Sequence, residues 1–99
     1  MIDLLSKIYV DLNELVIRRV PHDKEILSTR VIKEHTKICE YCFNIKNSNK
    51  DKNYMLEFKV SIKYILFILN YFVSKKIINN DVYKIIEKEY KDLYYIINP

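Results

Sequence analysis

The 99-residue chain contains no glycine, only two prolines (Pro21 and Pro99) and two cysteines. Without glycine, the Walker loop, the dinucleotide-binding fingerprint, the nucleophile elbow and the type I′ hairpin are all excluded, because each needs backbone freedom or close approach that only glycine supplies. The two cysteines, with no signal- or transit-peptide pattern, point to a reducing cytoplasm rather than a disulfide scaffold. Long apolar runs are also missing: the longest is Tyr64 to Leu69. A membrane-spanning helix needs about 20 mostly apolar residues. Lys59 and Lys63 interrupt the best candidate, so no membrane role is expected.

What the chain has is helical periodicity, with 49% hydrophobic content. The stretch Tyr54 to Val73 organises the rest. Met55, Phe58, Ile62, Ile65, Leu69 and Phe72 recur at steps of three and four, the spacing of a helix seam. Val60, Tyr64, Phe67 and Tyr71 form a second stripe beside it, and Lys59, Lys63, Asn70 and Ser74 a narrow polar strip. A surface helix needs an apolar arc of only roughly 100°. This one is apolar over most of its circumference, so it is expected to be covered on nearly every side, partly by a second copy of the chain.

The other helices follow the same rule. Ile2, Leu5, Tyr9, Leu12 and Val16 mark helix 1, from about Ile2 to Arg19, with Asp3 and the Arg18–Arg19 pair placed as the helix dipole favours. Pro21 stops it. Helix 2 runs from about Lys24 to Lys46 behind Asp23 as N-cap, with the seam Leu27, Val31, His35, Ile38, Cys42 and Ile45. Asn47 to Asn53 reads as the longest loop. Helix 3 spans about residues 53–76, capped by Asp51 or Asn53 and closed by Ile77 and Ile78. Asn79 caps helix 4, about residues 80–97, whose seam is Tyr83, Ile86, Tyr90, Leu93 and Ile97. With no period-two segment, this is a single all-α domain, an up-down-up-down antiparallel four-helix bundle.

Chemistry has few places to reside. His35, Cys39 and Cys42 share one side of helix 2, but a structural zinc site normally has four ligands. A redox CxxC usually opens a helix, where the dipole lowers the thiol pKa, and this one is mid-helix. The cysteines are expected to be structural, with no metal and no cofactor. No nucleophile, base and oxyanion-donor set is assembled, so no enzymatic activity is expected.

The formal charge is +4. In an up-down bundle the end of helix 1, the start of helix 2 and the end of helix 3 share one pole. That pole gathers Arg18, Arg19, His22, Lys24, Lys75 and Lys76 against Asp23, Glu25 and Asp81. Arg30, Lys33 and Lys37 continue down helix 2. One reading is a solvated face with dipole-favoured cations. The other is a track for the phosphate backbone of RNA or DNA, which needs point charges and no base-reading element.

Several segments carry a family likeness. IDLLSKIY opens helix 1. In VPHDKEILSTRVI, Val20, Pro21, Leu27, Arg30 and Val31 stand where an aromatic-proline turn precedes Leu-x-x-Arg-Ile. LNYFVSKKIINNDVYKIIEKEYKDLYYIIN supplies a leucine-rich third helix, a short turn capped by Asn79, and a fourth helix with Tyr83. In these features the chain resembles the small four-helix-bundle family that includes the accessory variability protein of diversity-generating retroelements and proteins encoded in ribosomal-RNA intervening sequences. Valine replaces the aromatic before Pro21, and the ribosomal branch's Asn-Ile-Ala-Glu-Gly segment is absent. The resemblance implies a homopentamer whose basic surface contacts a reverse transcriptase and its nucleic acid, and it supplies no active site. The alternative is a small helical protein-binding module, such as a phage-encoded inhibitor or a small subunit of a larger effector complex.

Overall fold

In the computed structural model, which describes residues 1–48 and 52–98, the chain forms four α-helices and one short 3-10 turn. They are α1 (Ile2–Arg19), a 3-10 turn (His22–Lys24), α2 (Glu25–Ser48), α3 (Lys52–Ser74) and α4 (Asn80–Ile97). No strand occurs among the described residues. Each helix packs on the next in sequence and α4 returns to α1, with α2 and α3 sharing the largest interface. The bundle measures 40 × 23 × 20 Å. No described helix is long and apolar enough to cross a membrane.

Contacts of α3 with α2 and the 3-10 turn before it run in inverse order along the chain. Lys24 meets Tyr71, Arg30 meets Tyr64, Glu34 meets Ser61 and Tyr41 meets Tyr54. As residue numbers rise along α2 they fall along α3 at the same rate, which defines an antiparallel pair in fixed register. Leu5, Ile8, Leu12 and Leu15 of α1, Val31, Ile38 and Cys42 of α2, Phe58, Ile65, Leu69 and Phe72 of α3, and Ile86, Tyr90 and Leu93 of α4 form one continuous core.

Several expected boundaries and faces are corrected. The buried line of α1 runs through Leu5, Ile8, Leu12 and Leu15, while Ile2 and Tyr9 are exposed. Both lines have helical spacing; the observed one wins because it faces α2 and α4 together. Asp23 is not an N-cap: it lies inside the 3-10 turn, which is closed by Lys24 N donating to the Pro21 carbonyl at 2.9 Å, and α2 starts at Glu25. Val20 is extended, as the residue before proline must be. Asn47 lies within α2 and Asn53 within α3, which leaves only residues 49–51 between the helices. The proposed cap Asp51 lies outside the described residues.

The end of α3 also differs. The helix stops at Ser74, so Lys75, Lys76, Ile77 and Ile78 form a turn. Lys76 N donates to the Val73 carbonyl at 3.0 Å and Ile77 N to the Phe72 carbonyl at 2.9 Å. With Lys76 left-handed at φ 61, this is a Schellman cap. Glycine usually holds that position, and a glycine-free chain places lysine there instead. Asn79 then caps α4 as expected, its side chain accepting from Val82 N at 3.1 Å.

The outer side of α3 is not covered by its own chain. Phe67 is 74% exposed, and Leu56 and Val60 are exposed beside it.

Candidate nucleic-acid interface

The turn at the end of α3 and the turn before α2 lie against the same aromatic ring. Lys24 Nζ and Lys75 Nζ are each 5.8 Å from the centroid of Tyr71. Lys24 Nζ is also 3.5 Å from the Tyr71 hydroxyl. Lys24 Nζ stands at the hydroxyl end of the ring and Lys75 Nζ lies within cation–π range of it, so one tyrosine engages two cations, neither of which has an ion-pair partner among the described residues. Lys76 is exposed one residue further on.

Arg18 and Arg19 take a different direction. They line a groove of about 350 Å³ with Lys7, Asp11 and Glu14 of α1 and Val82, Ile85 and Ile86 of α4. Arg18 pairs with Glu14 at 3.5 Å, one turn earlier on the same helix. The cations expected at the pole are thus arranged in two groups, one around Tyr71 and one between α1 and α4.

Arg30, Lys33 and Lys37 do come together. With Glu34, Val60 and Tyr64 they line a groove of about 440 Å³ between α2 and α3. Arg30 Nη1 donates to the Tyr64 hydroxyl at 3.2 Å. Lys37 lies 3.7 Å from Glu34, which also accepts from Ser61 Oγ at 2.8 Å. Among the described residues, Lys33 has no ion-pair partner and points a free charge outward.

The tyrosines are the part that sequence reasoning missed. Tyr64 and Tyr71 read as members of an apolar stripe, yet Tyr64 presents its hydroxyl to Arg30 of α2 and Tyr71 its hydroxyl and ring to Lys24 of the turn before it. The signal was available in the antiparallel register, which places Lys24 opposite Tyr71 and Arg30 opposite Tyr64.

The polar residues of the core are engaged in packing. His35 is buried between three helices. Its Nε2 lies 3.0 Å from the Leu5 carbonyl, which can only accept, so Nε2 carries the proton. Nδ1 therefore accepts from the Tyr90 hydroxyl at 2.8 Å. Burial lowers the His35 pKa, partly opposed by the Leu5 hydrogen bond. Burial and the neighbouring Cys39 push the Cys42 thiol up to about 12, and Cys39 is raised too, chiefly by burial. Both thiols are thus held in their weakly nucleophilic, protonated form. No group of three or more His, Cys, Asp or Glu side chains among the described residues is placed to hold a metal ion. Glu89 is buried at the α1–α4 contact, where Lys7 donates to Oε2 at 2.9 Å and Oε1 has no hydrogen-bond partner among the described residues. Burial raises its pKa against the opposing pull of Lys7.

Comparison with protein-family models, curated proteins and solved structures gave no match to this chain.

Proposed function

We propose that this chain is a non-enzymatic, oligomeric accessory protein that binds the backbone of RNA or DNA through its cationic surface. The observation that carries this reading is the Tyr71 cluster: two ammonium groups from separate turns, each 5.8 Å from the centroid of one ring, with exposed Lys76 next in sequence. Phosphates spaced along a backbone can bridge such charges, and no base-reading element is needed. The groove of Arg30, Lys33 and Lys37 extends the same chemistry along α2. The resemblance described above makes a reverse transcriptase the expected protein partner, and the free thiols suit a cytoplasmic setting. Exposed Leu56, Val60 and Phe67 supply apolar surface for assembly into a homo-oligomer, five-membered if the resemblance holds.

The test is duplex binding as a function of salt. The logarithm of affinity should fall against log salt with a slope of about −0.9 for each phosphate neutralised. A variant combining Arg18→Glu, Arg19→Glu, Lys75→Glu and Lys76→Glu should lose binding while keeping its helicity. Lys33→Glu with Lys37→Glu should weaken binding equally only if the track runs down α2. Failure to bind at about 50 mM salt, or indifference to the fourfold reversal, would overturn the reading.

A second reading draws on the same outer face. Leu56, Val60 and Phe67 are exposed on α3, with Val60 in the same groove as the cations of α2, an arrangement suited to an acidic, partly apolar protein surface. The protein-binding module becomes the better account if duplex binding fails.

A further inference from the structure

The opposite side of α3 holds a groove that the pole and the α2 track do not use. It lies between α3 and α4, has a volume of about 350 Å³, and is lined by Lys59, Ile62, Lys63, Leu66, Glu87, Tyr90, Lys91, Tyr94 and Tyr95. That volume is at the lower end of the roughly 300–1,000 Å³ usual for small-ligand sites.

The floor is apolar and stiff. The Tyr94 ring lies parallel to Phe58, with centroids 6.3 Å apart and an interplanar angle of 10°. Its hydroxyl accepts from Asn98 Nδ2 at 3.0 Å, and Lys59 Nζ stands 5.5 Å from its centroid. Tyr95 meets Tyr94 edge-on, at 6.3 Å and 71°. Tyr95 is 68% exposed, so most of its ring surface is open to solvent.

The rim is cationic. Lys63 has no ion-pair partner among the described residues. Lys59 is turned toward the Tyr94 ring rather than toward a carboxylate. Among the described residues Glu87 is the one carboxylate lining the groove, and it is already shared among Tyr83, Lys84 and Lys91 at 3.3, 3.8 and 4.0 Å. The groove thus presents an exposed tyrosine among three lysines.

A matching occupant must carry flat apolar units and negative charge at short spacing. We infer that the α3–α4 groove holds a single-stranded nucleic acid, with one base stacked on Tyr95 and the flanking phosphates on Lys59, Lys63 and Lys91. Aromatic faces inside a basic groove bind unpaired strands with little regard to sequence, since every base has a π-face. A duplex keeps its bases stacked on one another and cannot use Tyr95. The inference deepens the backbone-binding reading above by adding a preference for single strands, and it has its own residues.

The test compares a labelled mixed-sequence 12-nucleotide strand, as RNA and as DNA, with a duplex of the same sequence by fluorescence anisotropy. Tyr95→Ala should weaken single-strand binding by about 5- to 150-fold, the range of one stacked base, and leave duplex binding unchanged. Tyr95→Phe should retain single-strand affinity, whereas Tyr95→Leu, equally apolar but without a ring, should lose it. Combined Lys59→Gln and Lys63→Gln should flatten the salt dependence on the single strand. RNA and DNA should respond alike to Tyr95→Ala, since stacking does not involve the 2′-hydroxyl. Single strands that bind without dependence on Tyr95 would overturn the groove and leave the pole intact. Tyr95-dependent single-strand binding with no duplex binding would overturn the pole and leave the groove. Silence toward every probe would overturn both.

Discussion

The Tyr90 hydroxyl donates to His35 Nδ1 at 2.8 Å, across the diagonal of the bundle from α4 to α2. The other ring nitrogen of His35 reaches the Leu5 carbonyl, so one imidazole ties three helices together. Removing the hydroxyl leaves a buried acceptor unpaired, at a cost of about 1–3 kcal/mol. Tyr90→Phe should therefore destabilise the fold by that amount in urea denaturation. The double variant with His35→Leu should cost less than the sum of the single changes, because both partners are then gone.

Stability should fall as pH drops below about 7. His35 has a folded-state pKa below its ordinary 6.5. Its contribution is present above 6.5, where both states are neutral, and is lost as the pH falls toward the folded value and the unfolded chain takes up the proton. One extra proton bound by the unfolded state limits the slope to about 1.4 kcal/mol per pH unit. Glu89 has the opposite sign: raised above 4.5, it adds stability at acid pH that is lost as pH rises through its folded value. His35→Gln should flatten the decline between pH 7 and 5, measured by denaturation at each pH. An unchanged slope would assign the decline elsewhere.

Lys76 occupies a backbone conformation that disfavours any residue with a Cβ. Lys76→Gly should raise stability by about 1 kcal/mol, whereas Lys76→Val should lower it. A thermal melt of the two variants checks both signs.

Leu69 and Phe67 lie on opposite sides of α3. Leu69→Ala opens a cavity in the core and should cost about 2–5 kcal/mol. Phe67→Ser, at an exposed position, should change protomer stability by about 0.5 kcal/mol or less yet reduce the assembled mass in light scattering. A wild-type protein that runs as a 12.1 kDa monomer would remove the assembly role from this face.

The four helices were legible because apolar side chains at steps of three and four leave few alternatives. The fourth helix and its Asn79 cap were read to the residue. The face of α1 was not, since Ile2, Tyr9 and Val16 share helical spacing with Leu5 and Leu12 just as Ile8 and Leu15 do, and only the positions of α2 and α4 decide between the two lines. The stop at Ser74 was hidden for a different reason: nothing in Ser-Lys-Lys announces a left-handed residue when glycine is absent. For the candidate interface, the cations were legible but their partners were not. Whether Lys24 meets Tyr71 or Arg30 meets Tyr64 depends on register, which a one-dimensional periodicity does not contain.

The register of α2 against α3 has a kinetic consequence. These helices share the largest interface and are three residues apart in sequence, so the first contacts, next to the connection, close small loops at little entropic cost and the rest can zip outward from them. Chains dominated by such local contacts fold in microseconds to milliseconds. The α2–α3 hairpin is therefore the expected nucleus, with α1 and α4 docking onto it afterwards. Substitutions at Ile38 and Phe58 should slow folding, whereas Leu12→Ala and Leu93→Ala should mainly hasten unfolding. Stopped-flow kinetics would separate the two, and equal φ-values at all four sites would mean that the helices condense together.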